Sequence, residues 1–230
     1  MAQSSTSPFP PSANPLPITA PIISPQFCAS YPVDLSIARN VKTIRDADFV
    51  VIDINGNIIF KVKGSAYSNR VLLDAVGNPI VTLKQKLMSA HDRWQVFRGE
   101  STDSSDLIFR VKRSSMFQWK TKLDVFLANN TDEKVCDFKV QGSCSERSCV
   151  VYAGESSSIV AQMHKNKKTT VQSVLIGKDN FMVTVYPNVD YGFIVTLIII
   201  LTAINEAAQQ AADIGAAVGG AAGAAVASAF

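Results

Sequence analysis

Tyr191-Gly-Phe-Ile-Val-Thr-Leu-Ile-Ile-Ile-Leu-Thr-Ala-Ile204 is apolar all round, and its surroundings decide the fold. A membrane-crossing helix needs roughly 20 apolar residues, and runs of about 10 to 14 are more often buried inside protein. Asn205, Glu206, Gln209, Gln210 and Asp213 end this one. A helix without a polar face has to be enclosed. The only material in the chain that can enclose it is the β-rich region before it.

That region, from about residue 34 to 187, reads as short strands separated by turn signals, many with period-two alternation. Phe49–Ile54 and Ile58–Lys63 flank Asn55-Gly56-Asn57, a hairpin signal because Asn and Gly accept positive φ. Val71–Ala75 and Ile80–Lys86 flank Gly77-Asn78-Pro79 in the same way. Asp53-x-x-Gly56-Asn57-x-Ile59 and Asp74-x-x-Gly77-Asn78-x-Ile80 therefore repeat one hairpin type, and the period does not continue as a solenoid would. Further strands are expected at Trp94–Arg98, Asp106–Lys112, Gln118–Leu127, Val135–Val140, Cys149–Tyr152, Ser158–Met163, Thr170–Leu175 and Phe181–Tyr186.

About a dozen antiparallel strands remove their edges by closing on themselves. The interior of such a barrel is wider than its own side chains fill. At about 1.5 Å per residue the 191–204 helix is about 20 Å long, a match to the barrel's height. The expected fold is mainly β, formally α+β: a closed antiparallel barrel of about twelve strands around a central hydrophobic C-terminal helix. Residues 1–30, with Pro8, Pro10, Pro11, Pro15, Pro17, Pro21 and Pro25, are expected to form a disordered arm, and 31–206 the barrel domain. Residues 207–230, rich in Ala and Gly with Gly215, Gly219 and Gly223 four apart, are expected to form a mobile tail.

The 230 residues carry a net charge of +3, unevenly placed. From Lys61 to Lys122 there are twelve Lys/Arg against five Asp/Glu, about +7, and the remainder is about −4. Lys61/Lys63, Lys84/Lys86, Arg110/Lys112 and Lys120/Lys122 are spaced two apart, so each pair shares a strand face opposite apolar residues such as Val62 and Val111. If neighbouring strands align them they form a cationic face for an anionic membrane lipid or phosphoinositide. The same pattern also suits an ordinary solvated outer sheet face.

Enzymatic chemistry finds no constellation. His91 and Asp92 are adjacent and would point to opposite faces of a strand. Ser156-Ser157-Ser158 has no nucleophile elbow. Cys28, Cys136, Cys144 and Cys149 lack paired zinc spacing and disulfide density, which suggests reduced thiols in a cytosolic setting. The first Lys or Arg is Arg39, so no signal or transit peptide is expected. No metal, cofactor or nucleic-acid partner is called for, and a monomer is expected.

The order Phe49-x-Val51-x-Asp53-x-x-Gly56-x-x-x-Phe60-x-Val62, then Leu73-Asp74-x-x-Gly77-x-Pro79, Lys86, Trp94-x-Val96-x-Arg98-Gly99, Phe109-x-Val111-Lys112 and Gly177-Lys178-Asp179 before the apolar helix resembles the plant LURP-one-related family. The resemblance covers about residues 26–206. It implies a fold like the tubby C-terminal domain and the phospholipid scramblases, a twelve-stranded barrel around a hydrophobic helix. It also implies a non-enzymatic, membrane-tethered or phosphoinositide-binding adaptor linked to plant defence, cytoplasmic and peripheral at the plasma membrane or nuclear. No counterpart of the tubby lipid-binding residues, nor of the palmitoylated cysteines and calcium-binding segment of a scramblase, can be placed here. A lipid-independent protein-interaction domain and a scramblase-like membrane protein are the alternatives.

Overall fold

The computed structural model describes residues 20–39, 47–64, 69–86, 93–114, 121–143, 148–164 and 180–227. Alternation of apolar and polar residues, or in β2 a continuous apolar run, builds β1 (Val33–Arg39), β2 (Phe49–Ile52), β3 (Ile58–Lys63), β4 (Arg70–Asp74), β5 (Pro79–Lys86) and β6 (Arg93–Arg98). It also builds β7 (Leu107–Arg113), β8 (Thr121–Leu127), β9 (Phe138–Ser143), β10 (Ser148–Ala153), β11 (Ile159–His164) and β12 (Asn180–Val185). Each pairs antiparallel with the next, and β1 closes the barrel on β12. The closing strand β1 is absent from the sequence-based expectation, although Val33, Leu35 and Ile37 alternate with Asp34 and Ser36. The strand expected at Thr170–Leu175 lies outside the described residues.

The barrel encloses the first part of α1 (Tyr191–Ala227), and every residue from Gly192 to Ile204 is buried. Inward residues Phe60, Val62, Val81, Leu83, Trp94, Val96, Phe109, Val111, Leu123 and Val125 meet it with almost no exposed surface. The Phe193 ring lies 5.1 Å from Phe109 and 4.9 Å from Phe138. Each fully buried large apolar side chain contributes about 1.5–3 kcal/mol. The two hydroxyls in this dry interior are satisfied by the helix itself: Thr196 Oγ1 donates to Gly192 O and Thr202 Oγ1 to Ile198 O, both at 2.8 Å. By length and composition Tyr191–Ile214 could cross a membrane, but its residues from Gly192 to Ile204 are enclosed by protein. The helix runs well past Ile204, because Asn205 and Glu206 change its surroundings without breaking it: no Pro or cap follows them.

Asp190 starts the helix. Its Oδ1 accepts from Phe193 N at 3.0 Å, the bond of an N-cap, while Oδ2 accepts from Ile23 N at 2.7 Å and Ser24 N at 3.0 Å. This clamp is why Ala20–Ser30, which composition assigns to the arm, packs on the barrel end: Ile23 and Phe27 are buried in the core. Phe27 lies 5.2 Å from Phe60 and 5.3 Å from Tyr191, directly over Gly192, where a Cβ would come within 2.7 Å of its ring.

The internal repeat is a turn motif. Asp53 Oδ1 accepts from Asn55 N and Asn57 N, both at 2.8 Å, and Asp74 Oδ1 accepts from Gly77 N at 2.6 Å and Asn78 N at 2.8 Å. Gly56 and Gly77 take φ of 88° and 113°, open to glycine at little cost. Both hairpins carry a bulge at the same place, between Val51 and Ile52 and between Leu72 and Leu73.

Antiparallel order sorts the loops. The turns after β2, β4, β6, β8 and β10 lie at the end where α1 begins, and β1, β3, β5, β7, β9 and β11 run to the end where it leaves.

Candidate functional site

The outer faces of β5, β6 and β7 bring part of the expected cationic set together. Register aligns Lys86 with Arg93 and Arg93 with Lys112, and in the next outward row Lys84 with Gln95 and Gln95 with Arg110. Lys86, Arg93, Gln95, Arg110, Lys112 and Glu133 line a depression of about 130 Å³. Arg93 has no basic residue two positions away, so spacing alone misses it, and only the register shows that it lies between the β5 and β7 pairs.

The other expected residues stand apart. Lys61 and Lys63 on β3 are separated from β5 by β4, which sets Leu73 and Val71 opposite them. Lys61 Nζ donates to Ala75 O at 2.7 Å. Lys84 is exposed on the flank of the depression, and Lys122 on β8 pairs with Gln141, away from its lining. Lys120 lies outside the described residues.

One carboxylate enters this cationic group. Glu133, at the unusual φ of 48°, accepts from Arg93 Nη1 at 3.0 Å and lies 3.9 Å from Arg110 Nε. Arg110 Nη1 also donates to Asn130 O at 3.3 Å. Asp124 stands opposite Lys112 in the β7–β8 register. Four cations against Glu133 leave the lining positive. Guanidinium groups present planar forks that match phosphate and carboxylate oxygens, while lysines add mobile point charges.

Away from this depression, Cys136, Glu155 and Lys139 are tied to one another. Cys136 Sγ donates to Glu155 Oε1 at 3.3 Å, and Lys139 Nζ to Glu155 Oε2 at 2.7 Å. Burial, then the bond to Glu155, push the Cys136 thiol up to about 12, so it stays un-ionised and poorly nucleophilic. The hydrogen bond from Lys139 holds the Glu155 carboxyl below its ordinary value. A wider recess of about 590 Å³ at the end where α1 begins includes Cys28, Tyr31, Asp34, Asp53, Ile54 and Tyr191. Burial, followed by the nearby Asp190 charge, raises the Cys28 thiol there. With Asp34 and Asp53 in its lining, that recess disfavours anions. Among the described residues no group of three or more His, Cys, Asp or Glu could hold a metal ion.

The class these features define is a closed twelve-stranded barrel filled by its own C-terminal helix, with a positive depression on its flank. Residues 33–202 match the family model described as LURP-one-related, and the chain belongs to that family. It is 61% identical over 183 residues to LURP-one-related protein 15 of Arabidopsis thaliana, covering 78% of this chain and 83% of that protein. It is 60% identical over 184 residues to LURP-one-related protein 10 of the same plant, covering 78% and 94%. A crystal structure of an Arabidopsis thaliana protein superposes with a TM-score of 0.62 at 50% identity, covering 80% of this chain and 98% of that one.

Proposed function

We propose that this protein is a non-enzymatic adaptor that docks on anionic, phosphoinositide-bearing membrane at the cytoplasmic face. The observation that carries the reading is the convergence of Lys86, Arg93, Arg110 and Lys112 on one depression holding a single competing carboxylate, Glu133. A phosphorylated headgroup supplies the oxygens that this lining lacks. Each Lys or Arg near an anionic surface contributes about 1 kcal/mol, within a Debye length. The link to plant defence rests on family resemblance alone.

The test is co-sedimentation of detergent-free protein with phosphatidylcholine vesicles, with and without phosphatidylinositol 4,5-bisphosphate, at low and high salt. Pelleting that needs the phosphoinositide and weakens with salt is expected. Protein that stays in the supernatant with every vesicle would replace this reading with a lipid-independent interaction domain.

A further inference from the structure

We infer that the barrel meets the bilayer end-on, through the end from which α1 emerges. This rests on the membrane reading above and adds the surface that makes the contact. Most charges of the described residues are sorted along the barrel axis, Arg98, Lys134 and Lys139 being basic exceptions at the end where α1 enters. Lys63, Lys86, Arg93, Lys112, Arg113 and Lys122 all lie within two residues of the strand ends where α1 leaves. Asp53, Asp74, Glu100, Asp103, Asp132 and Glu155 all lie in or beside the turns where α1 enters. The acidic side chains described at the exit are few: Glu206 is committed to Arg70 at 3.0 Å, Asp48 stands beside β2, and Asp213 lies on the exposed helix with Gln209 Nε2 donating to it at 3.0 Å. A molecule polarised in this way turns its cationic end toward an anionic surface before contact.

The second observation is the helix itself. It is 37 residues long, about 55 Å at 1.5 Å per residue, and the barrel encloses only its part up to Ile204. Ala207–Ile214 stands exposed beyond the cationic rim, with Ile214 itself 65% exposed. From Ile214 to Phe230 the sequence has no charged side chain. A rim of cations around a projecting helix whose one exposed carboxylate, Asp213, is followed only by uncharged residues fits a lipid surface, where the cations and Asp213 stay at headgroup level and the uncharged part meets the acyl boundary. The flank depression opens beside this rim through Lys86, Arg93 and Lys112, so a headgroup can occupy it in the same pose.

End-on docking differs from flank docking at residues far from the depression. Lys63 lies on β3, three strands away around the barrel from β6, yet on the same end. Lys63→Glu is expected to weaken binding to phosphoinositide vesicles by at least about fivefold, and docking by the flank alone predicts no change. Orientation is read directly by placing tryptophan at either end, as Ile214→Trp or as Val76→Trp, the latter 87% exposed in the turn at the opposite end. The probe is phosphatidylcholine brominated in its acyl chains and mixed with phosphatidylinositol 4,5-bisphosphate. Quenching beyond that of the parent protein is expected for Ile214→Trp and absent for Val76→Trp. If the variants bind these vesicles but Ile214→Trp is not quenched, or Val76→Trp is quenched as much, the end-on inference is wrong and the membrane reading survives. If the parent protein does not bind, both fall together.

Discussion

The end of the barrel where α1 begins is sealed, whereas the end where it leaves is latched by polar groups and passed through. At the first, Phe27 covers Gly192 and packs on Phe60 and Tyr191, while the Asp190 carboxylate, 3% exposed, accepts three backbone N–H groups. At the second, Arg70 donates to Glu206 at 3.0 Å and also lies over the Phe49 ring, and Thr121 donates to Asn205 at 3.0 Å. The apolar seal draws on area removed from water, which is net stabilising. The ionic latch has to offset the desolvation of its own charges, so its net contribution is smaller. It marks where the helix changes from enclosed to solvent-facing, and it leaves the cationic end open for contact.

The largest test of this contrast lies between the two ends. Ile198→Asp sets an unpaired charge against the barrel wall, and an expected loss of more than about 4 kcal/mol should abolish the cooperative thermal transition. A soluble variant with a sharp melt would remove the helix from the interior. At the sealed end, Phe27→Ala should lose about 3 to 5 kcal/mol by urea titration. At the latched end Glu206→Gln should lose only about 1 to 3 kcal/mol. The reverse ranking would mean that the ionic latch, rather than the aromatic seal, holds the helix.

Smaller effects sharpen the electrostatic side. Cys136, in the turn after β8, has its thiol pushed up to about 12, so native protein at pH 8 should leave it unmodified by iodoacetamide while urea-unfolded protein is alkylated there. Rapid native labelling at Cys136 would contradict the burial and the bond to Glu155. The two hairpin turns give the smallest effect. Hydrogen bonds from the Asn78 side chain and backbone hold Asp74 below the ordinary 3.8, while at Asp53 desolvation, the largest single influence, pushes upward and the hydrogen bonds from Asn57 and Asn55 together outweigh it and hold the carboxyl low. Folded-state values below the unfolded ones mean that this stability is present above the ordinary carboxylate range and lost as pH falls through the folded values. Asp53→Asn with Asp74→Asn should therefore flatten the acid limb of Tm against pH and leave its slope near neutrality unchanged.

The enclosed helix was legible because an all-apolar run of that length admits few environments, and the strands were legible where alternation was strong. The closing strand β1 carries the same alternation but directly follows Pro32 and the proline-rich segment, with no hairpin turn signal to mark its start. Its prolines assign Ala20–Ser30 to the arm, since composition cannot register a clamp made by Asp190, more than 160 residues away. The candidate site was half legible. Spacing of two identifies which basic residues share a face within one strand, but register between strands decides which pairs meet. Register joined Lys86, Arg110 and Lys112 through Arg93 and left Lys61 and Lys63 on another part of the wall. Glu133 could not be anticipated, because a loop residue at positive φ has no periodicity to reveal its direction.

The measurement that bears most directly on the central claim compares charge reversal at the two ends against the same phosphoinositide vesicles. One variant carries Lys63→Glu, Lys86→Glu and Lys122→Glu at the exit end, and the other Glu100→Lys, Asp103→Lys and Asp132→Lys at the opposite end. Melting should match the parent protein in both. The account predicts that vesicle binding falls by more than about tenfold in the first and is unchanged or tighter in the second. Equal binding by the two would contradict it.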